Sequence, residues 1–91
     1  MTKTKNESAV RIAQKFIKDG CCSADVWLAD ASNAGEAITN IEDIATDTEI
    51  GIHTLYYRGV LDLSEATLLL GRLGVWKMFA VRHAWKIEEW N

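Results

Sequence analysis

The chain has 91 residues, of which 48% are hydrophobic and 25% charged, and 13 acidic against 10 basic side chains leave a net charge of −3. That length supports one domain, 1–91, and that composition is typical of folded chains and unlike disordered ones. No apolar run approaches the roughly 18 residues a membrane span needs, and Met1–Glu7 lacks a signal-peptide core, so a cytosolic protein is expected.

Helix signals come first. Thr4 and Glu7 have capping-box spacing. Val10, Ala13, Phe16 and Ile17 form one stripe, Arg11, Lys15 and Lys18 the other side, and Gly20 a stop. Ala24–Ala31 reads as a short strand. Asn33 with Glu36 repeats the capping box and opens a second helix. There Ala34, Ala37, Ile38, Ile41, Ile44 and Ala45 make an apolar face. Glu36, Asn40, Asp43 and Asp47 recur on the opposite side, with Glu42 beside them. Residues 48–57 are rich in β-branched and aromatic types, so a strand is expected, although Thr46 with Glu49 could cap a helix. Asp62 or Ser64 caps a third helix, with Ala66, Leu69, Leu70 and Leu73 inward and Gly71 and Gly74 closing it.

Met78–Ile87 decides the expected fold class. Phe79, Val81, His83, Trp85 and Ile87 share one face of a strand, whereas on a helix the large apolar residues scatter. The expectation is an α+β fold, a small three-stranded sheet with three helices in the order αβαβαβ. An all-α helical bundle is the alternative. On this reading Trp85 is core and Trp90 exposed.

Charge is strongly segregated. Residues 1–19 carry five basic and two acidic groups; residues 20–65 carry nine acidic groups and only Arg58; residues 66–87 carry four basic groups and none acidic. Ordinary solvated faces mix signs, and an unmixed acidic one repels nucleic acid and attracts basic surfaces. The expected partner-binding residues are therefore Glu36, Glu42, Asp43 and Asp47, with Arg82 and Lys86 as a contact of opposite sign.

Catalytic signals are lacking. Cys21, Cys22, His53 and His83 have no metal-ligand spacing, and adjacent cysteines give no disulfide framework. There is no nucleophile elbow or phosphate loop, and Gly71–Gly74 is a helix stop rather than a P-loop. No enzyme, metal or cofactor is expected.

Two resemblances bear on function. Leu55–Gly71 resembles the front half of helix-turn-helix regulators, which implies a DNA-binding transcriptional regulator. The resemblance departs at 76–89, which reads as a strand and offers Trp76, Phe79 and Trp85 where base-reading residues belong. Val26–Ala37 resembles a strand-to-helix unit of small phage-encoded proteins, including anti-CRISPR proteins of type I systems. That resemblance implies a non-enzymatic inhibitor that binds a host defence nucleoprotein complex. The leading expectation is such an inhibitor, its acidic surface occupying a basic nucleic-acid-binding groove, with no membrane or direct nucleic-acid binding. The alternatives are the DNA-binding regulator and an immunity protein for a toxin.

Overall fold

A computed structural model describes the backbone of residues 2–20 and 32–90 and the side chains of residues 7–20 and 32–86. It contains three helices, α1 (Thr2–Asp19), α2 (Ala34–Tyr57) and α3 (Leu63–Trp90), and no strand among the described residues. The expected α+β sheet is thereby corrected to an all-helical arrangement. The strand expected at Ala24–Ala31, together with Cys21 and Cys22, lies outside the described residues.

In α1 the buried residues are Ala9, Val10, Ala13 and Phe16, while Ile17 is 36% exposed at the edge of the stripe. The helix starts at Thr2, so Thr4 lies inside it and is not its cap. Gly20 is the expected stop. It takes φ +76, a conformation costly for a residue with a Cβ, and its N–H donates to Phe16 O at 2.8 Å.

Asn33 caps α2 as its sequence context predicts. Its backbone is extended (φ −155, ψ 169), and its side chain accepts from Glu36 N at 2.8 Å. The helix then runs 24 residues, through the segment 48–57 expected as a strand. Its buried set explains why. Ala34, Ala37, Ile41, Ala45, Thr48, Ile52 and Leu55 recur every three or four residues without a break. The threonines that raised the β signal are accommodated by back-bonding. Thr48 Oγ1 donates to Ile44 O at 2.7 Å and Thr54 Oγ1 to Ile50 O at 2.8 Å. The helix ends where Gly59 takes φ +79 and Val60 N donates to Leu55 O at 3.0 Å.

A reciprocal capping box starts α3. Glu65 N donates to Asp62 Oδ1 at 2.8 Å, and Asp62 N donates to Glu65 Oε1 at 3.1 Å. The helix passes through Gly71 and Gly74 instead of stopping, and continues for 28 residues. The segment 78–87 is therefore helix, not strand. Its inward residues are Ala80 and Ala84, which continue the spacing of Ala66, Leu69 and Leu73. Small alanines carry the core there, so an alternation read from large side chains points the wrong way. Trp85, expected in the core, is 55% exposed.

α2 packs against both other helices. At one end Ile52 and Leu55 share a core with Val10, Ala13 and Phe16 of α1 and with Ala66, Leu69 and Leu73 of α3. At the other end Ala37 and Ile41 meet Ala80 and Ala84, and Trp76 lies against both clusters. The pairing makes α2 and α3 an antiparallel hairpin along their length. Burial of Ile41 and Ile52, each fully enclosed, contributes about 2 kcal/mol apiece. Gly51 sets the α1 approach: a Cβ there would lie 2.6 Å from Ala13 Cβ and inside the van der Waals surface of the Ala9 carbonyl. The result is flat, 46 × 29 × 17 Å.

Candidate interaction surfaces

The acidic residues of α2 do not form one stripe. Successive residues are about 100° apart around a helix, so Glu36, Asp43 and Asp47 lie on one flank and Glu42 and Glu49 on the other. Glu36, Glu42, Asp43 and Glu49 are exposed and Asp47 is half-buried. Both flanks lie outside the buried face, and together they give α2 an outward acidic side.

Glu36 also has a local duty. Its Oε2 accepts from the Ser32 hydroxyl and from Ser32 N at 3.3 Å. The capping box therefore closes on the residue before the cap. The Ser32 hydroxyl, then the Ser32 N–H, hold the Glu36 carboxyl below the usual glutamate range.

Arg58, the lone cation within the acidic tract, is turned away from it. Its Nη2 donates to Glu7 Oε1 of α1 at 2.6 Å. With both side chains about half exposed, the pair contributes little stability. It nevertheless neutralises Arg58 locally, and α2 itself carries no Lys or Arg among its acids. Glu49, absent from the sequence-based set, faces His53 one turn on, with Nε2 and Oε1 4.0 Å apart. Glu49 also lines a recess of about 200 Å³ with Thr46, Leu70, Gly74 and Lys77.

Arg82 and Lys86 lie four residues apart on α3, hence on one face, and both are exposed. Strand and helix periods alike place them together. That face points away from α2, because Ala80 and Ala84 turn toward it. They therefore belong to a different surface from the α2 acids.

This second surface is the feature the sequence reading missed. Leu68, Val75, Met78, Phe79 and Trp85 are 52–64% exposed along the outer side of α3. Their spacing of three, four and seven residues was visible in the sequence. It went unread because a helix with apolar residues on two faces gives no single stripe. Near Gly20, a groove of about 780 Å³ runs along Leu68, Arg72, Val75 and Phe79.

The helix-turn-helix resemblance gains a helix at 76–89 and loses the geometry. That motif needs a tight turn between two crossing helices. Here its would-be first helix around Ala66 and its recognition helix at 76–89 are one unbroken helix, α3, with no turn at Gly71 or Gly74.

Among the described residues, no group of three or more His, Cys, Asp or Glu side chains could hold a metal ion. None of the described helices is long and apolar enough to cross a membrane. No protein-family model, curated protein or solved structure matches this chain.

Proposed function

We propose that this chain is a non-catalytic protein-binding module whose acidic α2 surface engages a basic surface on another protein, of the kind that otherwise holds nucleic acid. The observation that carries this reading is the outward set Glu36, Glu42, Asp43, Asp47 and Glu49, with Arg58, the tract's only cation, paired to Glu7. Closely spaced carboxylates on a rigid helix are pre-oriented for Lys and Arg, and their field accelerates encounter with a cationic partner. An inhibitor that occupies a phosphate-binding groove of a defence complex is one protein of this kind, and an immunity protein that caps a toxin is another. Both use the same complementarity.

The test reverses Glu42, Asp43 and Asp47 to Lys and spares Glu36, whose bonds to Ser32 help start α2. Partners are captured from the native host on the wild-type chain, and affinity is then measured from 0.05 to 0.5 M salt. The triple variant is expected to bind more than tenfold more weakly, with a flattened salt dependence. Unchanged affinity in a variant of wild-type helicity would sink the acidic-surface reading. A gel shift of random duplex DNA by the wild-type chain would favour the DNA-binding regulator instead.

A further inference from the structure

The outer face of α3 is costly to leave in water. Leu68, Val75, Met78, Phe79 and Trp85 are each more than half exposed. At roughly 80–140 Å² apiece they present about 500–600 Å², about two-thirds of the ~800 Å² each partner contributes to a standard interface. Patches of this size on a monomer usually mark an interaction site. A helix apolar on both sides is ordinarily covered on both.

The geometry points to a second copy of this chain as the cover, with the two α3 helices antiparallel and Val75 at the two-fold axis. Three observations select this occupant and orientation, independently of the α2 reading. First, charge favours an antiparallel pair. Parallel pairing would set Arg72, Arg82 and Lys86 each against its own copy. Antiparallel pairing centred on Val75 sets Arg82 against Leu68 and Lys86 against Ser64, one residue from the exposed Glu65. Second, shape is self-complementary. The same register places the Phe79 ring over Gly71, where an added Cβ would meet nothing within 4 Å of its own chain. A mid-helix glycine costs about 1 kcal/mol relative to alanine, and no contact among the described residues explains Gly71. Third, Arg82 lies in the middle of the apolar stripe rather than along its edge. A membrane would bury that guanidinium most deeply, whereas a second copy leaves it packed on Leu68 and within reach of Glu65. Both copies then contribute the same patch, as a two-fold contact requires.

The experiment is sedimentation of the full chain from 5 to 500 µM, with Val75→Asp, Gly71→Leu and a paired-cysteine test. Wild type is expected to approach twice its 10.2 kDa mass. Val75→Asp, at a position 52% exposed in the single chain, is expected to weaken association at least tenfold with helicity unchanged. Gly71→Leu separates the two roles of that position: it raises the intrinsic helicity of α3 but fills the Phe79 site, so association falls. In a background with Cys21 and Cys22 changed to Ser, a mixture of Leu68→Cys and Arg82→Cys chains is expected to cross-link, and Leu68→Cys alone is not. A monomer at 500 µM, a dimer indifferent to Val75→Asp, or cross-linking by Leu68→Cys alone would each overturn the proposal. So would a monomer that co-sediments with phosphatidylglycerol vesicles.

Discussion

Ser32 and Asn33 divide the work of starting α2 between them. The Asn33 side chain accepts the Glu36 N–H, and the Glu36 carboxylate accepts from Ser32. The sequence shows the Asn-x-x-Glu spacing but does not reveal which upstream donor the carboxylate takes, since that depends on how the preceding residue approaches. The pH consequence has a definite sign. A carboxyl held below its ordinary value of 4.5 stabilises the fold above that value, and the contribution is lost as pH falls through the lowered one. Glu36→Gln is therefore expected to reduce stability at pH 7 and to flatten its decline below about pH 4.5. Denaturant melts from pH 7 to 3 would show this; parallel wild-type and variant curves would contradict it.

At the scale of elements, α2 and α3 show where a local reading works and where it fails. The capping signals at Asn33 and Asp62 were legible because a cap is a contact within four residues. The helical character of 48–57 and 78–87 was not. Ile50, Ile52 and Thr54 carry β propensity, yet Thr48, Ile52 and Leu55 follow the spacing that packs on α1 and α3. In α3, Ala80 and Ala84 occupy the contact with Ala37 and Ile41, which leaves Phe79 and Trp85 outside. Gly74 makes a direct test of the continuous helix. An added Cβ there would meet nothing within 4 Å, so Gly74→Ala is expected to stabilise the protein by about 0.5–1 kcal/mol. Urea denaturation measures this, and destabilisation would mean that the helix breaks there as the sequence-based expectation had it.

Over the whole molecule, α2 is the spine and α1 and α3 are its neighbours. Among its described residues, α1 is held chiefly by Val10 and Phe16, with Ala9 and Ala13 giving it close approach at Gly51. Gly51→Ala would place a methyl against the Ala9 backbone, which cannot yield as a flexible side chain can. A loss of about 2–3 kcal/mol is expected, with proteolysis at Arg11 and Lys15 hastened as α1 lifts. Wild-type stability in that variant would mean that α1 docks more loosely than the contact with Ala9 and Ala13 implies. The flat outline follows from the same arrangement, since a single spine with helices alongside leaves the outer side of α3 without a cover among the described residues.

Several properties were determined by the sequence alone. They include the segregation of charge, the helix start at Asn33, the stop at Gly20, and the grouping of Arg82 with Lys86, whereas of the two caps offered for α3, Asp62 and Ser64, the structure takes Asp62. Each depends on composition or on contacts within a turn or two of chain. The tertiary structure decided the rest. It made helices of two segments with mixed propensity, because their every-third-or-fourth residues meet partners far away in sequence. It divided the α2 acids between two flanks and paired Arg58 with Glu7, 51 residues distant. It also turned Phe79 and Trp85 outward, because Ala80 and Ala84 occupy the α2–α3 contact.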